Sequence, residues 1–501
     1  MTAGTRERRQ DERTGPSGRR SPRLSGPAST AAIGASLTVI AMIGLLGPSA
    51  AVVTTDHDPS LPGPALGEMG TTLVLAAALA LGACGLAGGV MAVGRGWTPD
   101  PRRLLAGGLV AALALALLPA MGSHDMLNYA AFGRIANLGH NPFTMSPADL
   151  RQSGDPVGRW VTGPWTDTPS VYGPLATLTQ TAASALGGAS MAWTVAWLKI
   201  WNFVMFAVAA LVLHHLAGPD AARRLRVHLF WTANPLVLWN LVACGHIEGQ
   251  AVGFGVIALW TLRVALRPGS PLWPAVACGL ALGAAVAVKA PFVLLGIGVA
   301  WAARRSPRIL AAVGLSAAAV LLTGYLATGP EAITAVLQRS ADASWITYWT
   351  LFSVAAGAPP PGWMLSYGAL AISAGVAALI LRSLPRHDQG EERETSVRVG
   401  VAVVLGWLLI TPVYYPWYEA MLVPLLALWP ASRLDELTLW RALLSTLASL
   451  PGVVMEFTSP ATKQLVILMA GLINPTVLFV VTVAFVGALA LRRVRTPGPG
   501  A

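Results

Sequence analysis

TTLVLAAALALGACGLAGGVMAVG, residues 71–94, contains not one charged side chain, and as a helix it outreaches the ~30 Å of hydrocarbon in a bilayer. Comparable apolar runs lie at approximately 31–53, 104–121, 191–216, 227–243, 247–262, 272–288, 291–303, 309–328, 364–381, 399–413, 416–430, 441–455 and 464–491, giving about 14 candidate spans. Of the 501 residues 54% are hydrophobic and 11% charged, whereas about a quarter of a soluble domain is charged. The expected fold is an all-α integral membrane protein, a polytopic bundle of about 13 or 14 helices, and a soluble fold is excluded. Cys84, Cys244 and Cys278 are widely spaced in or beside apolar runs, so they indicate neither a disulfide framework nor a zinc site. No cofactor is expected, and a divalent metal has no support in the residues.

The net charge of +11 does not point to nucleic acid, because the basic residues are distributed as topology signals. Residues 1–25 hold seven arginines among acids, prolines, serines and glycines, the composition of a disordered tail rather than a cleaved signal peptide. If that tail is cytoplasmic, it and the inner segments 95–103, 217–226, 263–271, 304–308, 382–398, 431–441 and 492–501 carry 27 of the 34 Lys and Arg. Both termini are then cytoplasmic in a multi-pass plasma-membrane protein, and the two long connections, 122–190 and 328–363, face outward. Long outer loops beside tight inner ones place function outside. The chain divides into a basic tail (1–30), N-terminal helices (31–121), an outer catalytic loop (122–190), core helices (191–328), a second outer loop (328–363), C-terminal helices (364–491) and an inner tail (492–501).

Four polar constellations meet at the outer interface. The first, SHDMLNYAAFGRIANLGHNPF at 123–143, puts Asp125 at a span end, with Tyr129 and Phe132 on one face of an interfacial helix and Asn128, Arg134 and Asn137 polar; Ser123 or Asp125 could equally be a helix cap. In the second, PWTDTPSVYGPL at 164–175, prolines and glycines hold Asp167 and Tyr172, as a well-made surface turn also would. The third, NPLVLWNLVACGHIEGQ at 234–250, brings His246 and Glu248 to a span end, where ionisable groups are costly and functional by default. The fourth, TPVYYPWYEA at 411–420, contains Tyr415, Trp417 and Tyr418, which could also serve as an interfacial aromatic belt. Two short spans meet at Lys289 and leave a cavity with that lysine at its rim. Asp56–His57–Asp58 is a lone DxD pattern of little weight.

These residues, in this order, resemble the GT-C glycosyltransferases, and within them the actinobacterial polyprenol-phosphomannose-dependent α-(1→6)-mannosyltransferases of lipomannan and lipoarabinomannan assembly. The resemblance runs over most of residues 100–430. It rests on Asp125, Tyr129, Gly133, Arg134, Gly139, Asn141, Pro142 and Phe143, on DTPSVYGPL at 167–175, on NPL at 234–236, on Lys289 and on YYPWY at 414–418. The chain departs from the family's His-Asn-Asp turn with His246–Ile247–Glu248. The resemblance implies an inverting mannosyltransferase of the cell envelope, with a polyprenyl-phosphate sugar as donor, a lipoglycan or oligomannoside as acceptor, the bilayer as partner and no nucleic acid. Asp125, near water and ionised, is the expected base. Lys289, Arg134, His246 and Arg339 are expected on the donor phosphate, and Tyr129, Asn141, Asp167, Tyr172, Glu248, Tyr415, Trp417 and Tyr418 on acceptor or sugar. The alternatives are a polyprenyl-phosphate-arabinose transferase on the same fold and, in a different class, a lipid or sugar transporter. A transporter would show internal repeats and midplane charges, and neither is evident.

Overall fold

The computed structural model describes residues 24–47, 49–57, 61–339, 341–385, 392–452 and 457–494. The basic tail to residue 23, Asp58, residues 386–391 of the expected inner loop and residues 495–501 lie outside the described residues.

Three helices open the chain, α1 (Gly26–Leu45), α2 (Gly67–Gly94) and α3 (Pro101–Leu117). The start of α3 is fixed by Asp100, whose carboxylate accepts the Arg102 N–H, followed by Pro101, which needs no N–H partner in a first turn. The connection to the next long helix contains α4 (Asp125–Asn137), α5 (Pro147–Gln152) and α6 (Pro174–Gly187). Next come α7 (Met191–Leu216), α8 (Ala221–Val227), the one-turn α9 (Pro235–Val237), α10 (Glu248–Ala265), α11 (Trp273–Val288), α12 (Val293–Ala303) and α13 (Pro307–Thr328). The second long connection holds α14 (Glu331–Arg339) and α15 (Tyr348–Ala356). The chain closes with α16 (Ala369–Ser383), α17 (Glu392–Ile410), α18 (Val423–Leu428), α19 (Arg433–Leu447), α20 (Pro460–Leu468) and α21 (Asn474–Val494).

The protein is thus an almost wholly helical, polytopic membrane protein, in which the only strands among the described residues are the two-residue parallel pair Leu46–Gly47 and Leu61–Pro62. Among the described residues six helical stretches are long and apolar enough to cross a bilayer: Gly26–Leu45, Gly67–Gly94, Met191–Leu216, Pro307–Thr328, Met364–Ser383 and Pro460–Leu491. The others are shorter. The expected spans 227–243 and 247–262 form one pair bent by 119°, and those around Lys289 and around residue 415 are half-length helices. Polar residues at the breaks account for this, since a helix end inside protein frees backbone groups and opens room that a continuous span would fill.

A lysine inside α7 illustrates the cost and its remedy. Lys199 is 1% exposed, yet its Nζ donates to the carbonyls of Leu115, Leu118 and Pro119 at 2.6–2.9 Å, satisfying the C-terminal end of α3. Two glycines set the geometry near the breaks. Gly245 takes φ +76° at the bend, where a Cβ would meet Met126 Sδ at 2.5 Å. Gly173 lies so close to α11 that a Cβ would sit 2.2 Å from the Ala287 carbonyl, while its own N–H donates to Val288 O at 3.1 Å.

Candidate active site

The broken helices surround a cavity of about 420 Å³. Asp125, from the first turn of α4, enters it beside Tyr129, Tyr172 from the loop before α6, Lys289 from the break between α11 and α12, Arg339 at the end of α14, and Tyr415, Trp417 and Tyr418 from the turn before α18. The sequence brings the loop to this wall through Gly173: the close approach to Ala287 is what carries Tyr172 to within 5.8 Å of the Lys289 ammonium.

Asp125 does not cap α4. His124 occupies the cap position without a capping hydrogen bond from its side chain, and it is the Ser123 hydroxyl that accepts the first-turn N–H of Asp125, at 3.2 Å. Asp125 is 7% exposed, and Oδ2 accepts a long hydrogen bond from the Tyr129 hydroxyl at 3.5 Å; Tyr172 in turn donates to Tyr129 at 3.3 Å. The expectation of a base near water is corrected here. Burial, and after it the charge of Glu248, push the Asp125 carboxyl up to about 6 against the opposing pull of Lys289. Nor does α4 lie as an amphipathic interfacial helix, since Asp125 through Gly133 are all buried.

Behind Asp125 lies His246, 0% exposed, with Nε2 3.6 Å from Oδ2. Its Nδ1 is 2.6 Å from the Asn240 carbonyl, which can only accept, so Nδ1 carries the proton and Nε2 faces the Ser123 hydroxyl at 3.2 Å. The imidazole stacks on Trp417 at 3.6 Å, and Trp417 on Tyr415 at 4.8 Å. The aromatic turn is therefore a wall of the cavity rather than an interfacial belt.

Lys289 pairs with Glu248, whose second carboxylate oxygen has no partner among the described residues. The Lys289 ammonium also sits 4.1 Å above the Tyr418 ring. Arg339 lies over Trp165 at 4.7 Å, holds Asp342 at 2.9 Å and donates to the Tyr415 hydroxyl at 3.4 Å.

Of the residues expected on donor or acceptor, five do not line the cavity. Arg134 pairs with Asp155 at 2.9 Å, Asn141 accepts the Phe143 N–H, Asp167 is exposed, and Glu248 and His246 are fully buried behind the lining. Asp56 accepts the Ala192 N–H at 2.7 Å, which places it at the start of α7, and no metal-holding group occurs among the described residues. Sequence reasoning passed over Asn128. It is 3% exposed, lines the cavity one turn from Asp125, and neither its amide oxygen nor its amide nitrogen has a partner among the described residues. Its only sequence signal was a polar residue inside the block 123–143.

Helices broken around a buried carboxylate, with two cations and an aromatic wall, define a polytopic membrane protein with an ionisable reaction cavity. The family model described as "Alpha-(1->6)-mannopyranosyltransferase, N-terminal domain" matches residues 31–305. A probable α-(1→6)-mannopyranosyltransferase of Mycolicibacterium smegmatis is 25% identical over 68% of this chain and 71% of its own length. An α-(1→6)-mannopyranosyltransferase of Mycobacterium tuberculosis is 31% identical over 31% of this chain and 26% of its own. Among solved structures, ArnT of Cupriavidus metallidurans in the apo state is similar with a TM-score of 0.39 and 14% identity, over 78% of this chain and 77% of that one. The chain belongs to the α-(1→6)-mannopyranosyltransferase family, and is accordingly a membrane-embedded glycosyltransferase, a mannosyltransferase.

Proposed function

We propose that the chain is an inverting GT-C enzyme that moves mannose from a polyprenyl phosphate to a growing α-(1→6)-mannan acceptor of a cell-envelope lipoglycan, on the outer face of the plasma membrane. The observation that carries the reading is the division of the cavity. The charges of Lys289 and Arg339 act on Asp125, while Val293 and Leu294 of α12, Val336 of α14, Leu365 before α16 and Leu370 within it give the lining an apolar part. Tyr367 and Leu370 there are 76% and 55% exposed, so this flank opens sideways toward lipid. A sugar carried on an isoprenoid needs such a site, with its phosphodiester among cations and its chain in hydrocarbon.

In the reaction Asp125 accepts the proton of the acceptor hydroxyl as that oxygen bonds to the anomeric carbon and the carbon–oxygen bond to phosphate breaks. The polyprenyl phosphate leaves with the electron pair, and Lys289 and Arg339 stabilise its added charge. Tyr129 and Tyr172 orient the carboxylate, and Trp417, stacked between the His246 imidazole and Tyr415, holds that wall of the cavity in place.

The test is Asp125→Asn, assayed with purified protein, a defined polyprenyl-phosphate mannose and a short oligomannoside. Loss of a general base commonly costs about 10²–10⁴ in rate. Turnover within a few-fold of wild type, in a monodisperse variant, would overturn the assignment, as would efficient transfer from a soluble nucleotide sugar without any polyprenyl lipid.

A further inference from the structure

No step of the proposed reaction uses His246, yet the ring is fully buried directly behind the base. Burying a polar ring is costly unless its nitrogens find partners, so the partners define what it does. Nδ1, 2.6 Å from the Asn240 carbonyl, donates to it, which leaves Nε2 with a lone pair. Burial disfavours a second proton on the ring, and together with the charge of Lys289 it outweighs the pull of the Asn240 carbonyl. The ring is held in this orientation. Trp417 stacks on it at 3.6 Å, and the Asn240 side chain anchors its own segment by donating to the Leu236 carbonyl at 2.9 Å and to the Thr446 hydroxyl at 3.0 Å.

Two groups face the Nε2 lone pair, the Ser123 hydroxyl at 3.2 Å and Asp125 Oδ2 at 3.6 Å. While Asp125 is ionised, only Ser123 has a proton to offer. An anionic oxygen set against a lone pair is unfavourable, and the same contact becomes a hydrogen bond once the carboxyl is protonated. Nε2 therefore favours the state that Asp125 reaches as the acceptor hydroxyl gives up its proton.

We infer that His246 is a positioning residue for this reaction, whose neutral Nε2 takes the hydrogen bond of the newly protonated Asp125 and so strengthens the carboxylate as a base. The inference rests on Asp125 being that base. Whichever carboxyl oxygen receives the proton, rotation about Cβ–Cγ brings the O–H to Nε2. The proton stays on Asp125 and passes to water through the cavity that Asp125 lines, and the imidazole, which does not line it, changes neither charge nor tautomer. His246 acts alongside other groups: Glu248 of α10, Lys289 and Arg339 of α14 act on Asp125 by charge, and Tyr129, Tyr172, Tyr415 and Cys244 lie within reach of its charge.

His246→Phe leaves all of these in place, keeps a ring on Trp417 and removes both nitrogens. In the detergent-purified full chain the Asp125 carboxyl is titrated by pH-difference infrared spectroscopy, its band identified by its absence in Asp125→Asn. In His246→Phe the midpoint should move down by roughly one pH unit, and the acid limb of kcat/KM with it, while kcat at high pH falls several-fold. A ring that served packing alone would lower activity or stability and leave the midpoint where it was, which would overturn the inference. A midpoint that moved up would reveal an imidazolium paired with the carboxylate and overturn it equally. If His246→Phe does not fold, Ser123→Ala decides. It removes the hydroxyl that competes for Nε2, so the midpoint should move up, and an unmoved midpoint would refute the contact. Near-normal turnover by Asp125→Asn would remove the base and this role together, whereas an unmoved midpoint beside an inactive Asp125→Asn would remove this role alone.

Discussion

As the proposed base, Asp125 has to be ionised to accept a proton, and its carboxyl is pushed up to about 6 because burial and Glu248 outweigh Lys289. The sign follows: below about 6 the protonated form dominates and the base is lost, and above it the base is available. The profile of kcat/KM against pH should therefore rise with an apparent pKa near 6, and a rise near 4 would show that the titrating base is a solvated carboxylate elsewhere. Asn128 gives a prediction whose two readouts move apart. Its buried amide has no partner among the described residues, and a buried polar group left unpaired costs about 1–3 kcal/mol. If the amide finds its hydrogen bonds on the sugar, as we propose, Asn128→Ala should leave thermal stability unchanged or raised while raising the KM for acceptor or donor. A variant that melts lower with unaltered kinetics would make Asn128 a packing residue. At this scale the sequence identified the side chains better than their partners. Asp125, Tyr129, Tyr172, Lys289 and Trp417 were legible because polar and aromatic residues at a span end are rare enough to notice. The pairing of Arg134 with Asp155 and of Glu248 with Lys289 was not, because an ion pair depends on loops whose path the sequence does not fix.

The elements that make the cavity are interrupted helices, and each interruption is tied to particular residues. Asn234 accepts the N–H groups of Leu236 and Val237, starting a new turn at Pro235, and Gly245 at φ +76° turns the chain into α10. Lys289, in extended backbone, and Pro291 separate α11 from α12. Asn234–Pro235 and Lys289–Ala290–Pro291 were readable as breaks, and each expected span has a helix, but length alone made full crossings of segments that the structure bends or shortens. A hydropathy run measures apolar character, which a half-helix buried in protein shares with a lipid-exposed span. Gly173 tests whether the loop's approach to α11 builds the site. In Gly173→Ala the new Cβ would fall 2.2 Å from the Ala287 carbonyl, and backbone cannot yield as a flexible side chain can. Overpacking of this kind costs about 1–3 kcal/mol, so the melting temperature and the transfer rate should both fall. Gly314→Ala, where a Cβ meets nothing within 4 Å, is the matched control and should be neutral or slightly stabilising. Equal behaviour of the two variants would refute the close approach.

For the molecule as a whole the orientation in the membrane decides which pool of substrates the cavity meets. The reaction cavity and the basic clusters lie at opposite ends of the helices: Arg223, Arg226 and Arg263 line a hollow between α8 and the C-terminal half of α10, and Arg95 and Arg102 flank the connection from α2 to α3, whose far end leads toward Asp125. Arg304 and Arg305 follow α12, at the end away from Lys289. The orientation we propose follows the positive-inside rule, with those arginines in the cytoplasm and Asp125 on the opposite face. The reverse orientation would require each of those clusters to be translocated. Cysteines introduced singly at Gln152, exposed in α5, and at Pro268, exposed in the turn between α10 and α11, report on the two faces. The background has to lack Cys84, which is exposed, and for completeness the buried Cys244 and Cys278. An impermeant maleimide applied to intact cells should label the Gln152→Cys protein at once and the Pro268→Cys protein only after permeabilisation. Labelling of Pro268→Cys alone on intact cells would invert the topology. It would place the reaction cavity in the cytoplasm, where soluble nucleotide sugars are available, and remove the reason for a lipid-borne donor.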